Sequence, residues 1–227
     1  MTSPSETTIG RTDITGLADA ALRGAGISPE TAAALVEAAL FAEDRSMRGV
    51  GFGHLLDYAR AAQSGAMNPA PSPTVTRVAP GLISCSADRG PFHTGFQAAF
   101  PDLVDAARSL GTAAFVQADA FAGGQLGWFT ERLAAEGLAA LGAVNSNALL
   151  ATAPGTGRVL GTNPLAYSFP RGDGEVFTVD QASSAAAYVS VRRAAEADEP
   201  IPAGWAIDAD GLPTTDPAAA LAGAMLP

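Results

Sequence analysis

Apolar residues fall at helical spacing along the first part of the chain. Ile14, Leu17, Ala18, Ala21 and Leu22 predict a helix from Asp13 that stops at Gly24 and Gly26. Ser28 as N-cap and Pro29 at the first helical position open a second helix, whose Ala/Leu/Val face runs to about Ala42. The stretch HLLDYARAAQSGAM, from His54, predicts a third helix ending near Gly65. Asn68 to Pro73 is a Pro-rich connector and the expected domain seam.

Beyond it the period changes. TVTRVA and GLISCSA read as strands about a Pro80-Gly81 turn, FQAAFPDLVDAARSLG as an amphipathic helix interrupted or started by Pro101, and TAAFVQA as a buried strand. GGQLGWFTERLAAEG predicts a helix and LAALGAVN a strand, while LAYSFP and EVFTVDQA flank the RGDG turn as an antiparallel hairpin. SSAAAYVSVRRAAEA predicts a helix capped by Ser183 or Ser184. GWAIDADGLPT is a turn-bounded strand with its turn at Asp210-Gly211, and TTDPAAALAGAM a short helix with Asp216 as cap and Pro217 at its first position. No internal repeat is visible. The pattern is three helices followed by alternating strands and helices, so an α/β or α+β class is expected. An N-terminal helical domain over 1–70 would precede a sheet-containing domain over 71–227.

Composition narrows the chemistry more than the fold. Nearly half the residues are apolar (48%) and few are charged (16%), which marks a chain with a real core. No apolar run reaches the length of a membrane span, and the polar start MTSPSETTIGRTD lacks the apolar centre of a secretory signal and reads as a frayed tail. The lone Cys85 has no internal disulfide partner, so a cytoplasmic location is expected. A net charge of −10 without a basic cluster argues against nucleic acid as a partner. All 13 basic residues are Arg, which excludes a lysine Schiff base and a Walker-type phosphate loop. With two His and one Cys, neither a three-His zinc site nor a Cys-rich one can be built. FAGGQLG has glycines at the wrong spacing for a dinucleotide fingerprint, so a Rossmann site is unsupported.

Three stretches carry a resemblance. VLGTNPLAYSFPR, VDQASSA and DEPIPAGWAIDADGLPTTDPAAAL together resemble the type 2 malate/L-lactate dehydrogenase family, which includes cyclic-imine and ketogulonate reductases. The similarity extends from about Ile14 to the end. It implies a non-Rossmann fold with a largely antiparallel or mixed sheet flanked by helices. It also implies NADH or NADPH as hydride donor, a small-molecule substrate, and a homodimer. The family motif RGVDSHGxxRLPRY aligns without gaps to RSMRGVGFGHLLDY, placing Gly49 and Val50 at the Ser-His positions and His54 where an Arg grips the substrate carboxylate. The cofactor-contacting NSNHFG corresponds to ADAFAG, which holds no His. Carried over by position, Ala122, Gly123, Gly124, Gln125, Leu126, Asp180, Gln181 and Ala182 become cofactor contacts and Thr162 a substrate contact. Arg-Gly-Lys of DMATSAVARGK is replaced by Tyr188-Val189-Ser190.

Reduction of a 2-oxoacid or cyclic imine needs a proton donor and a group to hold the carboxylate. His54 is the first candidate donor and His93 the second, against the plainer readings of a solvated helix-end His and a structural loop His. Arg48 and Arg89 are candidates for the lost clamp, with surface Arg as the alternative. Thr162 and Asn163 sit on a turn, and Asp180 either caps the helix after Ser183 or meets a nicotinamide ribose. Arg192 and Arg193 suit a cofactor phosphate or a solvated face; Trp128 and Trp205 are simplest as core. Family chains continue past GAMLP with a Gly-rich segment and further helices. The sequence therefore leaves three options: a fragment, a chain completed by a partner polypeptide, or a degenerate binding subunit. A fold reused for non-redox chemistry on an imine is a further alternative.

Overall fold

The structure is a computed structural model that describes residues 9–153 and 157–227, with only the backbone of Arg48. Most of the polar N-terminal tail therefore lies outside the described residues. Two compact units divide the chain, 1–124 and 125–227.

The first unit begins with α1 (Arg11–Gly24), α2 (Pro29–Asp44), a 3-10 turn (Arg48–Val50) and α3 (Phe52–Gln63). The start of α2 follows its sequence: the Ser28 hydroxyl accepts the Thr31 amide at 3.3 Å, and Pro29 occupies a position where no amide is needed. Leu22, Ile27, Leu35, Leu55, Tyr58 and Met67 close one core between these helices. A mixed sheet follows, made of β1 (Thr74–Ala79), β2 (Leu82–Ser86) and β3 (Ala114–Ala118), with α4 (Phe92–Leu110) crossing from β2 to β3. The β1–β2 pair is the expected hairpin, and β2 and β3 run parallel, which requires such a crossover.

Two sequence expectations take a different form here. The helix read from Phe96 starts four residues earlier, at Phe92, and of the two readings of Pro101 it takes the interior one. Its start is fixed from outside: Gly95 lies so close to β2 and β3 that a Cβ would come within 2.7 Å of Gln117 Oε1 and 3.0 Å of Cys85 Sγ. The Pro-rich connector at 68–73 does not separate compact units. Met67 is buried, Asn68 donates its amide to Arg89 O, and Pro69 O accepts the Ser28 amide, so the connector is stitched into the first unit. The division comes at Gly124–Gln125, and α4 packs on α2.

The second unit carries α5 (Gly127–Ala135) over an antiparallel sheet of β4 (Ala140–Ala143), β5 (Leu165–Pro170) and β6 (Val176–Gln181). The RGDG hairpin forms as read, with Pro170 opposite Val176 and Gly174 at φ 84°. Then come α6 (Tyr188–Ala197), β7 (Ala206–Ile207), β8 (Pro213–Thr214), α7 (Pro217–Ala222) and β9 (Ala224–Met225). Leu150, Val191, Ile201, Ala206, Ala220 and Met225 form their core. Asp216 caps α7 as expected, accepting the amides of Ala218 and Ala219. Ser183 and Ser184 do not cap α6. The Ser183 amide goes to Thr162 O and the Ser184 hydroxyl to Ala186 O, which holds a turn ahead of the helix. The class is thus mixed α/β with small, largely antiparallel or mixed sheets, and among the described residues no closed barrel forms.

Candidate active site

In the first unit, α3 opens one residue after Gly51, whose added Cβ would collide with the Glu43 side chain. Glu43 uses that space to accept the Phe52 amide at 3.0 Å, capping α3 from α2. This places His54 in the first turn of α3 and Asp57 one turn on. His54 Nδ1 lies 2.9 Å from Asp57 Oδ2, with the two side chains only 19% and 15% exposed. The imidazole is therefore not the solvated helix-end group that the plainer reading held.

Tyr58 organises what surrounds the pair. Its ring meets His54 edge-on at 5.0 Å, His93 at 6.5 Å and Phe121 at 5.9 Å. Its hydroxyl donates to Ala122 O at 3.2 Å, and burial together with the Asp57 charge pushes its ionisation upward. The loop from Phe121 is pinned onto the start of α4: the Phe121 amide bonds Gly90 O, the Phe92 amide bonds Ala122 O, and Gly123 lies against the Phe92 ring. Both candidate histidines and the candidate loop Ala122–Gly124 therefore meet about one buried phenol.

The histidines are unlike one another. His93 is not in a loop but in the first turn of α4, 1% exposed. Burial, aided by His54, pushes its pKa down to about 3, so the ring stays neutral at ordinary pH and carries no extra proton to give. Gly49 and Val50, at the motif's Ser-His positions, lie in the 3-10 turn that Arg48 opens; the Arg48 side chain lies outside the described residues. Arg89 donates to Gly65 O at 2.5 Å and so ties the connector rather than a clamp.

In the second unit, Asp180 ends β6 and accepts the Gly127 amide at 2.7 Å, along with that of Leu126. Leu126 is the N-cap of α5 and offers no capping side chain, so Asp180 supplies the cap from a neighbouring strand. It does not cap the helix after Ser183, and its carboxylate takes the two amides instead. Burial nevertheless holds its carboxyl above the usual range, the two amides pulling the other way. Gln125 and Leu126 precede α5 instead of joining it, which shortens the predicted helix. Gln181 pairs with Leu165 at the sheet end, and Ala182 follows it. Thr162 Oγ1 lies 3.1 Å from Ser146 Oγ, while Asn163, at φ 34°, accepts the Ser146 amide. Gly161 is required beside them, since a Cβ would strike Ser146. Thr162, Gln181 and Ala182 thus share one end of this sheet.

An open cleft of about 390 Å³ in the same unit is lined by Ser190, Arg193, Glu199, Ile201 and Trp205 among others, and by none of the residues carried over as cofactor or substrate contacts. Arg193 therefore faces a cleft, and Trp128 is core, 2% exposed. Among the described residues no cluster of three or more His, Cys, Asp or Glu could hold a metal ion, and no helix is long and apolar enough to cross a membrane.

Each unit sets a small sheet among helices, and neither carries the glycine spacing of a Rossmann site. A profile described as malate/L-lactate dehydrogenase matches residues 9–227, and the chain belongs to that family. It is 38% identical over 200 residues to a Delta(1)-pyrroline-2-carboxylate reductase of Pseudomonas fluorescens, covering 88% of this chain and 60% of that protein. It is 35% identical over 211 residues to a (2R)-3-sulfolactate dehydrogenase (NADP(+)) of Chromohalobacter salexigens, covering 93% and 63%. The crystal structure of delta1-piperideine-2-carboxylate reductase from Pseudomonas syringae superposes with a TM-score of 0.89 at 32% identity, over 98% of this chain and 67% of that one. The chain thus spans 60% of the length of the first of these relatives.

The residues at 125–127 and 180 bear on whether a nicotinamide cofactor fits. Gln125 Oε1 is buried with no hydrogen-bond partner among the described residues, so an amide or hydroxyl donor suits it. The carboxylate already on the α5 amides leaves no place there for a phosphate. The segment fits the uncharged, hydrogen-bonding part of such a cofactor.

Proposed function

We propose that the chain carries the reductase chemistry of its family, acting on a cyclic imine carboxylate or a 2-oxoacid. The observation that carries this reading is His54, half-enclosed, held by Asp57 and packed on Tyr58 beside the Phe121–Gly124 loop. NADH or NADPH, when bound, would supply the hydride. Gln125, Gln181 and Ala182 are the residues proposed to hold its nicotinamide end, and Thr162 to contact substrate. His54 holds the proton that the imine nitrogen or alkoxide oxygen takes up, giving a cyclic amino acid or a 2-hydroxyacid. The relatives named as pyrroline- and piperideine-carboxylate reductases favour the imine. A homodimer and a cytoplasmic location belong to the same reading.

The test is direct. The purified chain is titrated with NADH and NADPH by fluorescence, then assayed with delta-1-pyrroline-2-carboxylate, delta-1-piperideine-2-carboxylate, pyruvate and oxaloacetate. Saturable binding and turnover of an imine are expected. No binding at millimolar cofactor overturns the reading for this chain. A second reading has its own support in Val50, which stands at the motif's proton-handling histidine. It makes the chain a binding subunit, completed by a partner polypeptide, and predicts a stable co-purifying complex without turnover of the isolated chain.

A further inference from the structure

We infer that Asp57 is a positioning residue: it holds His54 by Nδ1, fixes the ring as the Nδ1–H tautomer, and makes Nε2 the nitrogen through which His54 exchanges protons. The inference starts from geometry. The two residues stand at i and i+3 on α3, a spacing that puts their side chains on one face, and Nδ1 and Oδ2 are 2.9 Å apart. An ionised carboxylate only accepts, so the nitrogen facing it must carry hydrogen whether the ring is neutral or charged. The contact therefore survives proton transfer, and the ring has no reason to turn between steps.

Three further features hold the arrangement. Both side chains are mostly covered, at 19% and 15% exposure, so water competes weakly for the bond. The edge of Tyr58 packs on the imidazole, and Tyr58 is itself buried and anchored to Ala122 O. Arg60 Nη1 lies 4.0 Å from the other oxygen, Asp57 Oδ1, and gives the carboxylate a cation on its far side. The sequence adds a reason to regard the pair as a unit. In the ungapped match to RLPRY, His54 and Asp57 stand at the two arginine positions, so two like charges are exchanged for an imidazole and its acceptor. A lone imidazole in water favours the Nε2–H tautomer; here the carboxylate reverses that preference. The catalytic consequence rests on the reductase reading above, whereas the tautomer does not.

The experiment uses the full chain labelled with ¹⁵N. Its two histidines give two ring systems in a long-range ¹H–¹⁵N spectrum, assigned with His54→Gln. At about pH 9, well above the ordinary imidazole range, His54 should show a protonated Nδ1 and an unprotonated Nε2. Asp57→Ala should shift the ring largely to Nε2–H. Asp57→Asn, isosteric and uncharged, should raise the Nε2–H share and keeps the test decisive if the alanine variant does not fold. An Nε2–H ring in the wild-type chain, or a tautomer unmoved by both substitutions, overturns the inference. Where the wild-type chain turns over an imine, Asp57→Asn should lower kcat on the order of 100-fold with KM little changed. A wild-type chain without turnover sinks the reductase reading and leaves the tautomer result standing. An Nδ1–H ring with kcat unmoved by Asp57→Asn would refute the positioning role itself.

Discussion

Asp180 offers the sharpest separation of a structural role from a ligand-binding one. Its carboxylate takes the amides of Leu126 and Gly127 at a helix start that has no cap of its own. Asp180→Ala strips both donors of their acceptor. A lost cap costs about 0.5–2 kcal/mol and a charge-assisted bond about 1.5–3 kcal/mol. Relief of a buried charge offsets part of this, because burial outweighs the amides in setting the carboxyl's pKa. The net expectation is about 2 kcal/mol for alanine. Asparagine keeps an acceptor oxygen and should cost less than about 1 kcal/mol. The sign with pH follows from the raised folded-state pKa. The protonated carboxyl binds the fold more tightly than the unfolded chain, so its contribution is fully present below the unfolded value of about 3.9. It is lost as pH rises through the folded value, and wild type should lose ground to Asp180→Asn over that interval. Urea unfolding followed by tryptophan fluorescence reads the right unit, since Trp128 and Trp205 both lie in it. An alanine variant within about 0.5 kcal/mol of wild type that fails to bind NADH would refute the capping argument and return Asp180 to the ribose.

Two other perturbations probe the same unit. A buried hydroxyl chain joins α5 to the sheet: Thr178 donates to Glu131 Oε2 at 3.2 Å, Ser168 meets Thr178 at 2.9 Å, and Thr130 meets Ser168 at 2.8 Å. Ser168→Ala should cost about 1–2 kcal/mol in urea, and Thr130→Val added to it less than the sum of the single changes, because the partners are removed together. Arg158 donates through Nε to Gly223 O at 2.6 Å and through Nη2 to Leu221 O, tying down the end of α7. Arg158→Ala should speed hydrogen exchange at Met225, whose amide bonds Leu149 O, with a stability loss of about 1 kcal/mol.

Local signals were readable and tertiary ones were not. Ser28 and Pro29, the RGDG turn and Asp216 with Pro217 each act within a few residues, so spacing alone located α2, the β5–β6 hairpin and α7. The start of α4 depends instead on Gly95 passing close to Gln117 and Cys85, and no residue within Pro91–Gly95 announces a helix. Ser183 reads as a cap in isolation but is spent on Thr162, twenty-one positions back in the chain. The two-residue strand β9 exists only because Ala224 and Met225 pair with β7. At the site, His54 was visible as one of two histidines, and Asp57 three residues on was there to be found by helical spacing. That Tyr58 would reach Ala122, 64 positions away, could come only from the fold.

Tyr58 also explains why the two histidines are not interchangeable. It stands against both rings, yet His93 has lost water on every side while His54 keeps a carboxylate in reach. Burial, with His54 close by, favours the neutral ring at His93, while the carboxylate of Asp57 meets one nitrogen of His54. One phenol thus packs against both a fully enclosed imidazole and one held by a carboxylate. The order of preference between the two candidates then follows from the environment of each ring, not from its place in a motif.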